Sequence, residues 1–317
     1  MDADSSLYAE RTWKTPLQLL TGDTTVKICA PMVRYSKLPF RQLVRKYQCD
    51  LAFTPMIISD SFIRSVKARD SEFTTCAEDR PLIVQFAANN PQDLANAAEI
   101  ISPFSDGIDL NCGCPQRWAM AEGYGACLID KPQLLYDIVH ETKSRIQNPD
   151  FTVSVKMRIH SDIRTTVDLC QKLEKTGVSW ITVHGRTKDQ HHQPANVDAI
   201  RLIKENVNIP VVANGDIKSL DDVTRVAKET GVNGVMSARG ILGNPAMFAG
   251  YNITPLQCVQ DWLDISLPLG MPFPLFHHHL IDMLEKSLCR SERRVFNTLS
   301  STSSVIDYLR ENFQIGT

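Results

Sequence analysis

The run Asn111-Cys112-Gly113-Cys114-Pro115 has the makings of a reactive turn, because it follows the apolar segment Gly107-Ile108-Asp109-Leu110 directly. A thiol leaving a strand ahead of a glycine-bearing loop (residues 116–128) can meet a substrate from one side. Unpaired cysteines are more often small buried hydrophobes, and Cys112 is expected to be one. Cys114 differs because Gly113 and Pro115 fix a turn around it. Thiols of ordinary acidity titrate at about 8.5 and are protonated at neutral pH, so a cysteine here can serve as an acid. Lys156 sits inside the apolar run 153–159. An ammonium there needs an anionic partner or a cavity. A carboxylate such as Asp109 would serve, and so would the anionic ring of a reduced flavin.

Two further turns, Asn214-Gly215-Asp216 and Ala238-Arg239-Gly240, combine small residues, backbone donors and a guanidinium. Such turns bind phosphate when they meet at one corner of a barrel; otherwise their glycines only make tight turns. His184, before Gly185, could donate to a phosphate or be a satisfied structural histidine. Metal binding is not expected. Cys112 and Cys114 have no second pair at ligand spacing, and His277-His278-His279 lies on an apolar helix. The triple histidine is expected on a polar side of that helix, with RNA contact as the sharper alternative. No G-x-G-x-x-G or Walker-type loop follows a strand, which argues against a Rossmann nicotinamide domain.

These residues need a scaffold that brings strand ends together. Eight short apolar segments can be read: 26–32, 51–56, 82–87, 107–115, 152–158, 180–186, 209–216 and 234–240. Most are separated by amphipathic helical stretches, the pattern of a parallel sheet covered on both faces. A count of eight, with Met32, Gln85, Asn111, Lys156, His184, Asn214 and Arg239 at or near successive carboxyl ends, favours a closed α/β (β/α)8 TIM barrel. From about Thr254 the pattern becomes purely helical. The expected division is a lead-in over 1–25, a barrel over 26–253 and a helical domain over 254–317. The 317 residues are 43% hydrophobic and 22% charged, ordinary values for a soluble globular protein. A net charge of −2 argues against bulk positive potential as a means of holding nucleic acid. Nine scattered cysteines and a polar, acidic amino terminus suggest a reducing, cytoplasmic setting without signal peptide or membrane span.

Taken in order, Ala30-Pro31-Met32-Val33, Gln85, Asn111 to Gln116, Gly123-Tyr124-Gly125-Ala126, Lys156-Met157-Arg158, His184-Gly185-Arg186-Thr187 and the two phosphate-type turns resemble the tRNA-dihydrouridine synthase family. The resemblance is close over roughly residues 26–250 and looser in the tail. There, Phe276 to His279 and Arg293 to Asn297 look most like the eukaryotic branch acting at positions 20a and 20b of the tRNA D-loop. The resemblance implies an FMN-dependent reductase that draws electrons from NADPH or NADH. Pro31, Met32 and Val33 would line the flavin, and Gln85 and Lys156 would bond its rings. His184, Asn214, Gly215, Asp216, Ala238 and Arg239 would hold its phosphate. Ala238 stands where many members have glycine, so its methyl must be accommodated. Cys114 would be the proton donor, and Asn111, Arg186, Arg290, Arg293 and Arg294 would contact the substrate. Hydride at C6 of uracil leaves charge reaching C5, where a proton must arrive from the face away from the flavin. The uridine would have to be unstacked to reach the barrel mouth. A monomer is expected. Two alternatives stand beside this reading: a flavin barrel acting on a free pyrimidine, in the manner of dihydroorotate dehydrogenases, and a tRNA-binding protein without catalysis.

Overall fold

The computed structural model describes residues 13–316; the first twelve residues of the expected lead-in lie outside them. Among the described residues nine strand segments occur: β1 (Val26–Cys29), β2 (Leu51–Phe53), β3 (Ile57–Ile58), β4 (Leu82–Ala87), β5 (Gly107–Cys112), β6 (Thr152–Arg158), β7 (Trp180–His184), β8 (Val211–Asn214) and β9 (Gly234–Ser237). All pair in parallel, and β1 bonds both β2 and β9 while β2 also bonds β4, so the sheet closes. β2 and β3 are two halves of one staff, giving the eight-stranded barrel that the apolar runs suggest.

The break between those halves has a local cause. Phe53 pairs with Ile83 and Ile57 with Phe86, so four steps on one strand oppose three on the other, a bulge. Within it, the Thr54 hydroxyl accepts from the Gln85 amide at 3.1 Å, replacing a lost ladder bond. Alternation sorts the remaining side chains. Ile28, Phe53, Ile83, Trp180, Val212 and Met236 form a buried cluster inside the barrel, joined by Leu20 of the lead-in helix Pro16–Leu20. Cys29, Val84, Ile108, Val155 and Val183 point outward to the helices. Each such buried aliphatic or aromatic side chain contributes about 1.5–3 kcal/mol of transfer free energy.

Among the described residues no strand follows Ser237. The tail consists of helices Leu256–Ser266, Phe273–Leu284, Arg290–Asn297 and Thr302–Phe313. It docks on helix Leu38–Lys46 and the residue after it. Asp261 accepts from Lys46 and from the Tyr47 hydroxyl, both at 2.7 Å. Nearby, His279 stacks on Phe40 at 4.6 Å, meets Trp262 at 4.5 Å and takes the edge of Tyr35 at 5.3 Å. The triple histidine is therefore not a polar helix side: His277 and His279 are buried, His277 bonds the Phe296 carbonyl at 3.0 Å, and only His278 is exposed. Helical spacing misled because aromatic partners on a different element cover those positions. Tyr35 belongs to the turn 32–36 after β1, where the Met32 amide donates to Ser36 Oγ at 2.9 Å and the Met32 carbonyl accepts from the amides of Tyr35 and Ser36. No described helix is long and apolar enough to cross a membrane.

Candidate functional site

The cysteine turn is built by its own sequence. Asn111 Oδ1 accepts from the amides of Gly113 at 3.1 Å and Cys114 at 2.9 Å, the side-chain turn that asparagine makes readily. The Cys114 carbonyl accepts from the Ala126 amide at 2.9 Å. Gly125 crosses beneath at φ 71°, where a Cβ would stand 2.6 Å from that carbonyl oxygen, so this crossing requires glycine. Cys114 is half-buried and packs, as Met56 and Ile58 do, against the small cluster of Ala87, Ala119 and Tyr124. Cys112 is fully buried and burial pushes its thiol up, which suits an inert core residue.

Behind the turn lies a polar chain. Asn111 Nδ2 donates to Gln85 Oε1 at 2.9 Å, and Gln85 Nε2 donates to Asp109 Oδ2 at 2.8 Å. Ser154 Oγ donates to the other Asp109 oxygen at 2.7 Å. Lys156 sits opposite Asn111 in the β5–β6 register. Its ammonium makes no hydrogen bond or ion pair among the described residues. Burial lowers its pKa, with Asp109 opposing that shift from a distance. Burial likewise raises the Asp109 carboxyl, opposed by Gln85, Ser154 and Lys156. Of the two partners open to Lys156, Asp109 thus supplies field without contact.

The two phosphate-type turns meet as the barrel corner requires. A Cβ on Gly240 would lie 2.2 Å from the Ile217 carbonyl oxygen, so the turns after β8 and β9 touch backbone to backbone. Beside them is a cavity of about 240 Å³ lined by Arg158, His184, Asn214, Gly215, Asp216, Lys218, Met236, Ala238 and Arg239 among others. That is well above the ~10–15 Å³ of such space that one water needs, room for a phosphate and a short chain. Arg239 is largely exposed, and its one ion pair among the described residues is a long 3.7 Å contact to Asp216. With Lys218 and Arg158 it makes the cavity cationic, so the donor set fits a phosphate ester. The pKa of His184 falls to about 2, chiefly through burial and then through Lys156, Arg158 and Arg186. Its imidazole is neutral. Because Arg186 can only donate, the 3.1 Å contact to His184 Nε2 places the ring proton on Nδ1.

Several residues are placed differently from the sequence-based expectation. Arg186, expected against substrate, is buried; it grips both Asp216 oxygens at 2.6 Å and also bonds the Gln193 carbonyl. It is a strut in the cavity wall; burial raises the Asp216 pKa, and the Arg186 hydrogen bond helps bring it below the usual carboxylate value. Asn111 and Gln85 also bond within the protein rather than facing outward only. Met32 and Pro31 are half-buried and Val33 is exposed. Arg290, Arg293 and Arg294 are on helix Arg290–Asn297, outside the cavity lining; Arg293 lies 3.7 Å from Glu285. Arg158, part of the run Lys156-Met157-Arg158 but given no role by it, joins the site's two halves. It lines the cavity, and its Nε donates to the Gly113 carbonyl at 2.9 Å. Its position two residues beyond Lys156, at the end of the same strand, was the available signal.

Comparison with known proteins is consistent along most of the chain. The profile of the family described as dihydrouridine synthase (Dus) matches residues 28–311. A human protein named as a tRNA-dihydrouridine(20a/20b) synthase-like enzyme, with NAD(P)+ in its name, is 60% identical over 302 residues, covering 95% of this chain and 95% of that protein. The tRNA-dihydrouridine(20a/20b) synthase of Saccharomyces cerevisiae is 45% identical over 300 residues, covering 93% of this chain and 82% of its own length. Among solved structures, histamine dehydrogenase from Rhizobium superposes with a TM-score of 0.53 at 13% identity, over 76% of this chain and 49% of that one. Morphinone reductase gives 0.50 at 9% identity, over 70% and 84%. At such identities the likeness bears on the barrel alone.

Proposed function

Since the chain belongs to the dihydrouridine synthase family, we propose that it reduces the C5=C6 bond of uridines 20a and 20b in the tRNA D-loop, with FMN as cofactor and NADPH or NADH as electron source. The observation that carries this reading is the shared rim: Arg158 ties the Cys114 turn to the cationic cavity. Arg239, Lys218 and the turn from Asn214 to Asp216 would hold the cofactor phosphate, with neutral His184 offering its Nδ1 proton. Lys156 would face the ring system, where its unpaired ammonium favours negative charge. Held there by these residues, FMN would supply the hydride for C6 of the uracil ring. Cys114 holds the proton that C5 must receive, and its turn fixes the direction from which that proton arrives. Residues 26–253 would form the catalytic barrel and 254–317 the tRNA-binding tail, in a cytosolic monomer.

The test is reconstitution with FMN, NADPH and unmodified tRNA, followed by mapping of dihydrouridine at nucleotide resolution. Product confined to positions 20a and 20b is expected. Equal turnover of free uridine would favour a free-pyrimidine reductase, and failure to take up FMN would favour a non-catalytic tRNA binder.

A further inference from the structure

The polar chain behind the cysteine turn can run in only one direction. The amides of Gly113 and Cys114 are donors, so the Asn111 atom facing them at 3.1 and 2.9 Å is its oxygen. Its Nδ2 must then donate, and Gln85 receives on Oε1. That turns Gln85 Nε2 onward, and whatever lies at the far end has to accept. The acceptor is Asp109, which is wholly buried and whose second oxygen is taken by Ser154. An alanine or leucine there would leave a buried donor with no partner, and a reversed amide would set two donors face to face.

We propose that Asp109 is a positioning residue for the proton-donating cysteine: as the terminal acceptor it sets the direction of the chain Asp109–Gln85–Asn111, and so holds the Cys114 turn in register with Gln85. Asp109 touches neither the thiol nor the cavity; it acts through two amides. This rests on the assignment of Cys114 under the proposed function and adds the residue that orients it.

The direction can be reversed by exchanging the charge between the ends. Asn111→Asp alone still accepts from the two backbone amides but presents an oxygen to Gln85. Gln85 must turn its nitrogen towards residue 111, and its Oε1 then faces the Asp109 carboxylate. Adding Asp109→Asn supplies the missing donor, and every contact is made again with Gln85 reversed. Asp109→Asn alone keeps the original direction, offering its oxygen to Gln85 and its amide to Ser154 Oγ.

The four flavin-loaded proteins are compared by melting temperature and by kcat and KM on unmodified tRNA. N111D is expected to lower kcat about tenfold at little changed KM, with a lower Tm. D109N should stay within about threefold of wild type. The double variant should recover most of both losses, although it carries one more substitution than N111D. If N111D does not accumulate as folded protein, folded and flavin-loaded double variant is the same rescue. Additive or worse behaviour of the double variant, or an N111D indistinguishable from wild type, would overturn the proposal. A wild-type protein that forms no dihydrouridine would instead overturn the proposed function, while the melting-temperature cycle would still decide the chain's direction.

Discussion

Replacing Cys114 by alanine removes the thiol and keeps the turn, because the bonds that hold it run through the backbone of residues 113, 114 and 126. Flavin content should be unchanged while dihydrouridine formation falls at least about a hundredfold, the usual contribution of a positioned acid; liquid chromatography of digested tRNA measures it. Lys156→Met should make the flavin midpoint potential more negative by at least about 30 mV, a tenfold change for a two-electron couple, since a positive charge beside the reduced ring is lost. A spectroelectrochemical titration that finds no change would remove Lys156 from that role. Residue types at strand ends made Cys114, Lys156, His184 and Arg239 legible from sequence. The work of Arg186, Asn111 and Asp109 was not legible, because it depends on which side chain lies across the ladder. Periodicity reports the face a residue occupies, not its partner.

At the scale of elements, the eight staves could be counted from apolar runs, but the bulge at 54–56 could not. It arises from register against β4, which a single strand does not carry. The tail helices were equally visible, whereas the burial of His279 was not, since Phe40 and Tyr35 come from the far end of the chain. That burial has a measurable signature. The pKa of His279 is lowered from 6.5 to about 3, mainly by burial, and neither ring nitrogen has a hydrogen-bond partner of good geometry. The folded state therefore binds this proton less readily than the unfolded chain. Its contribution to stability is complete above pH 6.5 and is lost progressively as pH falls from there to about 3. His279→Phe should keep the stacking and flatten that loss. Melting temperatures at pH 7 and pH 5 are expected to differ less in the variant than in wild type, and an equal drop would show that His279 does not titrate this way.

For the whole molecule, a net charge of −2 means that a tRNA must be held by local basic groups rather than by overall potential. Arg290 and Arg294 are exposed on the tail, while Arg293 is turned towards Glu285. Arg290→Ala with Arg294→Ala should weaken tRNA binding without altering flavin reduction by NADPH. The slope of log affinity against log salt should become shallower by roughly 0.7–0.9 for each phosphate contact removed. An unchanged slope would take this helix out of the footprint.

The turn at residues 32–36 joins the barrel mouth, through Met32, to the tail, through the edge of Tyr35 on His279. A cofactor that orders Met32 from one side and a nucleic acid that steadies the tail from the other would act on the same few residues. Linkage then requires reciprocity: whatever factor the flavin adds to tRNA affinity, tRNA must add to flavin retention. Two titrations, tRNA into flavin-free and flavin-loaded protein and FMN with and without tRNA, should return the same ratio above one, and a ratio of one in both would mean that this hinge transmits nothing.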